Sequence, residues 1–97
     1  MTRYTSDTVI TALGEYSVQW QWKNNALTTE FLFVDFATAF AFMTKVAEVA
    51  EQLNHHPDWQ NSYNRVAVSL RTHDKNAVTD LDIALALEIS ALAKTLI

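Results

Sequence analysis

Three histidines carry most of the chemistry this sequence can offer. They lie in two short polar segments, Asn54-His55-His56-Pro57-Asp58-Trp59 and Thr72-His73-Asp74-Lys75-Asn76-Ala77. Imidazole, with an ordinary pKa of about 6.5, gives and takes protons at neutral pH, so the pattern points to general acid–base catalysis. With no cysteine, thiolate nucleophiles, disulfides and Cys-ligated zinc are excluded. Ser6, Ser17, Ser62, Ser69 and Ser90 lack the context of a nucleophile elbow. A single Gly and a single Pro leave no room for a Gly-rich phosphate loop. A three-histidine metal site is the rival reading. Adjacent His55 and His56 would point to opposite sides of an extended stretch, and there is no helical His-x-x-x-His pair, so no metal is expected. Glu51 stands four residues before His55. If a helix persists there, the two share a face, and the carboxylate can orient the ring or raise its pKa. The plainer reading is an ordinary exposed glutamate. Trp59 either packs over a flat ligand or anchors its loop.

These segments must be held by regular elements. Ser6 precedes Val9, Ile10 and Leu13, and Gly14 follows, which predicts a short capped helix. Glu15 to Lys23 alternates, with Tyr16, Val18, Trp20 and Trp22 on one face, and predicts a half-buried strand. Asn24-Asn25 suits a tight hairpin turn. Folding there pairs Trp22 with Leu27, Trp20 with Thr29, Val18 with Phe31 and Tyr16 with Phe33. Asp35 is the expected N-cap of a helix from Phe36 to about Leu53. That helix carries two apolar stripes: Phe36, Phe40, Met43, Ala47 and Ala50, and Ala39, Phe42, Val46, Val49 and Leu53. One stripe suffices to pack on a sheet; the second implies cover by another helix or a subunit. Pro57 disfavours helix at His56, so a loop or short strand follows. Tyr63 to Arg71 alternates with Val66, Val68 and Leu70 inward, and Thr72–Ala77 reads as a turn. Thr79, with Asp82 three residues on, predicts a capping-box variant at the head of a last helix, Asp80 to Ile97. Leu81, Ile83, Leu85, Leu87, Ile89, Leu92 and Leu96 make that helix apolar around most of its circumference, which suggests partial cover by another subunit. Helix, strand, strand, helix, strand, strand, helix is an α+β order: a four-stranded antiparallel sheet with three helices on one face.

The 97 residues fit a single domain spanning 1–97. Apolar residues make up 49% and charged residues 19%, a folding composition, not a disordered one. The net charge of −4 argues against a nucleic-acid partner. Trp20, Trp22, Phe31 and Phe33, at these spacings, read as core before they read as a base-stacking platform. No apolar run is long enough to span a membrane, and Met1–Asp7 lacks the apolar stretch of a signal peptide, so a soluble cytoplasmic protein is expected.

Glu51-Gln-Leu-Asn-His-His-Pro-Asp-Trp59, Asn61-Ser-Tyr63-Asn64, Thr72-His73-Asp74, Thr79, Asp82 and Leu85-Ala86 resemble the pterin-4a-carbinolamine dehydratases. Phe31-Leu-Phe33-Val-Asp35-Phe36, Phe40-Ala-Phe42-Met43 and Val46-Ala47 extend the likeness over roughly Leu27 to Ala86. The resemblance implies a hydro-lyase converting 4a-hydroxytetrahydropterin to quinonoid dihydropterin and water, in recycling the cofactor of aromatic amino-acid hydroxylation. It implies no metal or redox cofactor, and homodimers or homotetramers built through strands and helices. By position, it makes His55, His56 and His73 catalytic. Asn54, Arg71, Thr72 and Asp74 would line the pterin site, with Glu51, Trp59 and Asp82 in support. His55 and His73 would exchange the protons and His56 position the pterin; which one is acid and which base stays open. Two alternatives use the same fold: a non-catalytic dimerisation or regulatory module (a mammalian member also binds a homeodomain transcription factor), and a dehydratase-like protein acting on another pterin. The family's Gly-Gly after the Thr-His segment is replaced by Lys75-Asn76-Ala77, which requires either another loop shape or a positive φ at Asn76.

Overall fold

The computed structural model describes residues 2–97; Met1, the first residue of the opening segment read above, lies outside them. Helix α1 (Thr8–Leu13) runs into a 3₁₀ segment, Gly14–Gln19, and then into strands β1 (Gln21–Lys23) and β2 (Ala26–Leu32). Helix α2 (Phe36–Leu53), strands β3 (Asp58–Ser62) and β4 (Arg65–Leu70), a 3₁₀ turn at His73–Lys75 and helix α3 (Asp80–Leu96) complete the chain. The sheet is antiparallel throughout, in the order β1-β2-β4-β3. Together with the three helices on its apolar face, this is the expected α+β architecture.

Alternation decides which face is covered. Register pairs Leu27 with Leu70 and Phe31 with Val66. These four are buried, whereas Glu30 and Leu32 on the opposite face are exposed. Phe42 of α2 sits on this surface, with ring centroids 5.5 Å from Phe31 and 4.9 Å from Phe33. The core-facing stripe of α2 is Ala39, Phe42, Val46 and Ala50. Asp35 accepts a hydrogen bond from the Thr38 N–H at 2.8 Å and starts the helix as expected. Asn24 and Asn25 both take positive φ in the hairpin turn, and Trp22 pairs with Leu27.

The rest of the expected first strand is not a strand. Gly14 (φ +59°) ends α1, and the chain then coils through Gln19. Tyr16 and Val18 therefore pair with nothing on β2, and Val18 is 89% exposed. Tyr16 instead borders an open groove of about 540 Å³ together with Thr29, Phe31, Ala93 and Lys94. Trp20 is buried and donates from Nε1 to Ser90 Oγ at 2.8 Å, while Thr29 donates to the Gln19 carbonyl at 2.7 Å, so side chains replace the missing ladder. The cap of α1 also differs. Asp7, not Ser6, precedes it, and the Thr5 and Thr8 hydroxyls accept each other's backbone N–H. Tyr63 and Asn64, expected in a strand, form the β3–β4 turn, with Tyr63 at φ +51°.

Helix α3 is better covered than its sequence implied. Ile83, Leu85, Ala86, Ile89 and Ala93 are buried, and Leu87, Leu92 and Leu96 are half-buried against the same core. Large apolar side chains left exposed include Phe36 and Phe40 on α2, whose rings lie 5.7 Å apart, and, at other places, Ile10, Val18, Leu32, Val34, Tyr63 and Ile97.

Candidate active site

The end of α2 sets the position of two histidines. Asn54 adopts the left-handed conformation (φ +51°, ψ +42°). Its N–H donates to the Glu51 carbonyl at 3.2 Å, and that of His55 to the Ala50 carbonyl at 3.0 Å. This is a Schellman termination, which reverses the chain after one residue. The i,i+4 spacing of Glu51 and His55 therefore does not apply. Glu51 Oε2 instead meets His56 Nε2 at 2.6 Å in an exposed pair, and His55 turns inward to α3. The conditional reading in which Glu51 orients His55 does not apply; Glu51 is the exposed glutamate of the plainer reading, with His56 as its partner.

His55 is 9% exposed, and its Nε2 lies 2.6 Å from Oδ1 of Asp82, which is fully buried. Asp82 is the third residue of α3. Its Oδ2 accepts from the Thr79 backbone N–H at 2.9 Å, completing the carboxylate half of the expected capping box. The same oxygen accepts from the Thr72 hydroxyl at 2.8 Å. The Thr72 and Thr79 hydroxyls are 2.7 Å apart. One carboxylate thus serves as helix cap, as histidine partner and as tie to the segment carrying His73.

That segment is closed by bridging of Thr72 to Ala77 and by a 3₁₀ turn ending at Asn76, φ +48°. Asn76 takes the positive φ that the absent Gly-Gly demanded. His73 Nε2 faces Asp58 Oδ2 at 3.0 Å, an exposed pair that links the turn to the start of β3.

The two segments meet around a cleft of about 390 Å³ lined by Asn54, His55, His56, Thr72, His73, Asp74 and Leu81. All three histidines line it, and each has its Nε2 on a different carboxylate. Larger grooves of about 540 Å³, between Tyr16 and Lys94, and about 530 Å³, along Thr28, Pro57 and Ser69, contain no histidine. Arg71 is half-buried after β4 and does not line the cleft. Trp59 packs against the core from β3, so it anchors its loop and lies outside the cleft. The Thr72 hydroxyl is turned inward to Asp82 and Thr79. Asp58 and Leu81 were not assigned from sequence. Asp58 stood inside the histidine motif, and Leu81 was read only as part of an apolar stripe. Among the described residues, no group of three or more His, Asp or Glu side chains is arranged to hold a metal ion.

Comparison with known proteins matches this arrangement to a family. The model of the pterin 4 alpha carbinolamine dehydratases covers residues 2–92. The chain belongs to the pterin 4 alpha carbinolamine dehydratase family. Relatives from Brucella ovis and Brucella canis, provisionally named pterin-4-alpha-carbinolamine dehydratases, are each 54% identical over 68 residues, 70% of either chain. The crystal structure of a transcriptional coactivator/pterin dehydratase from Brucella melitensis superposes with a TM-score of 0.86. It is 46% identical, and the match covers 95% of this chain and 99% of that one. A pterin dehydratase-like protein described as a RuBisCO assembly factor in the alpha-carboxysome is 25% identical, with a TM-score of 0.64 over 76% of this chain and 86% of its own. The dehydratase fold therefore accounts for the sheet order and helix placement.

Proposed function

We propose that this chain dehydrates 4a-hydroxytetrahydropterin to quinonoid dihydropterin and water by histidine acid–base catalysis, in recycling of the pterin cofactor of aromatic amino-acid hydroxylation. The observation that carries the reading is the convergence of His55, His56 and His73 on one cleft, each backed by its own carboxylate. In the reaction the C4a–O bond breaks, a proton joins the departing hydroxyl, N5 loses its proton and a C4a=N5 double bond forms. One group must give a proton and another accept one, which two imidazoles do at neutral pH. His55 and His73 exchange these protons, and His56 positions the pterin. Asn54, Thr72 and Asp74 shape the rim, and Glu51, Trp59 and Asp82 support it. The reading needs no metal or redox cofactor.

Replacing His55 or His73 by Ala is expected to lower dehydration of chemically generated 4a-hydroxytetrahydropterin by about 10²-fold or more, the scale of a lost acid–base group. Unchanged rates in both variants would reject the assignment. A non-catalytic assembly or regulatory role is the second reading, supported by the relative described as an assembly factor. A chain that leaves the carbinolamine to its uncatalysed rate supports that reading; turnover of a different pterin alone supports a dehydratase-like enzyme of other specificity.

A further inference from the structure

The acid–base reading leaves open which ring nitrogen of His55 does the chemistry. The hydrogen bonds behind it have a direction. Thr72 donates its single hydroxyl proton to Asp82 Oδ2, so the 2.7 Å contact between the two threonine hydroxyls must use the proton of Thr79. Donation therefore runs Thr79 to Thr72 to Asp82. The Thr79 backbone N–H adds a second donor on Oδ2. Asp82 is left with Oδ1 as its free acceptor, 2.6 Å from His55 Nε2. An ionised carboxylate only accepts, so Nε2 must carry the proton. Nδ1 of His55 has no partner, yet among the described residues no buried side-chain nitrogen or oxygen lacks one. Nδ1 is therefore accessible, on a residue that lines the cleft.

We infer that the Thr79–Thr72–Asp82 chain locks His55 in its Nε2-protonated form, so that Nδ1 is the atom exchanging a proton with the substrate. Thr72, Thr79 and Asp82 are then positioning residues, acting through His55 without touching substrate. The inference rests on the dehydratase reading of the cleft for its catalytic part, but not for the tautomer itself. It also separates His55 from His56 and His73, whose carboxylate partners are exposed and have no donor chain behind them.

The sharpest test is Asp82→Asn. Two donors converge on the Oδ2 position, so the amide oxygen must sit there and the NH₂ must face His55 Nε2. The ring then has to accept at Nε2 and carry its proton on Nδ1. Long-range ¹H–¹⁵N spectra of the full-length chain without substrate report which nitrogen is protonated, with His56→Gln and His73→Gln assigning the signals by elimination. The expected result is Nε2–H in the unmodified chain and Nδ1–H in Asp82→Asn. With that reversal, kcat should fall about 10²-fold or more with little change in KM, the behaviour of a wrongly presented base. Thr79→Val removes the donor to Thr72 but leaves the Asp82 carboxylate facing the ring, so Nε2–H should be kept while the looser carboxylate lowers kcat about tenfold, and Thr79→Ser should restore the rate. Should Asp82→Asn not fold, the unmodified spectrum and the Thr79 pair still decide. Nδ1–H in the unmodified chain, or Nε2–H retained in Asp82→Asn, overturns the lock even if the chain is an active dehydratase. The predicted tautomers in a chain with no dehydration activity overturn the catalytic part and the dehydratase reading together, leaving the lock standing.

Discussion

Each histidine of the cleft has its ring against a carboxylate, but the three pairs differ in kind. His55–Asp82 is buried and tied into threonine hydroxyls, whereas His56–Glu51 and His73–Asp58 stand in solvent. Removing one partner of a buried, hydrogen-bonded pair strands the groups it satisfied; removing an exposed partner strands nothing. Asp82→Ala leaves His55 Nε2, the Thr72 hydroxyl and the Thr79 N–H without their acceptor, so it should destabilise the chain by about 3–5 kcal/mol. Glu51→Ala should cost less than about 1 kcal/mol. Urea denaturation of the two variants side by side checks the ordering, and equal losses would show that burial does not distinguish the pairs. The sequence placed all three histidines in the right two segments. It left Glu51 between an exposed glutamate and a partner of His55; the left-handed residue at Asn54 redirects the chain and brings Glu51 to His56 instead.

Among the elements, α3 is the junction. Its first turn is gripped by the N-terminal arm. The Tyr4 hydroxyl donates to Asp80 Oδ1 at 2.7 Å, the Tyr4 N–H to the Val78 carbonyl at 2.8 Å, and Arg3 Nη1 to the Lys75 carbonyl at 3.2 Å. The arm therefore holds the segment that carries His73. The hydrogen bond to Asp80, with smaller contributions from desolvation and the Asp80 charge, raises the Tyr4 phenol above its usual 10.0. A raised value favours the protonated form in the folded chain. Its contribution is thus complete below the ordinary tyrosine pKa and disappears as pH rises through the folded one. Stability should accordingly fall in alkali above about pH 10, and Tyr4→Phe should flatten that fall. At the head of α2 the sign is reversed. The hydrogen bonds from Thr38 lower the Asp35 carboxyl below its usual 3.8. That contribution is present above the ordinary value and lost as pH drops through the folded one, so Asp35→Ala should shallow the acid limb of the same stability profile. A profile unchanged at both ends in the two variants would remove either cap from the account.

For the molecule as a whole, of the two helices expected to leave bare apolar surface, α2 does so at Phe36 and Phe40. With α3 largely covered in place, the adjacent rings of Phe36 and Phe40 on α2 stand among the large apolar groups left in solvent. Clustered aromatic exposure of this kind marks an interaction surface, and we propose that it is closed by further copies of this chain in a homodimer or homotetramer. Sedimentation at micromolar concentration should then show an oligomer. Phe40→Glu should shift it to smaller species while leaving the monomer folded, since that side chain is more than half exposed and absent from the core. A wild-type monomer of normal stability would reject the proposal.

What the amino-acid order determined by itself was local. The Asn-Asn turn, the Asp35 cap, both bounds of α2 and the alternation of β4 follow from backbone preferences and hydrophobic period, which act over a few residues. So does the presence of two histidine segments at element ends. The tertiary structure decided what depends on residues far apart in the chain. Tyr16 and Val18 left the expected strand for a 3₁₀ segment after Gly14, and Trp20 was fixed by Ser90, seventy positions away. His55 found its carboxylate twenty-seven residues on, at the head of another helix. Alternation says that a side chain wants cover, and motif spacing says that a ring wants a partner. Which cover and which partner are available is settled only when the sheet, the helices and the turns have packed.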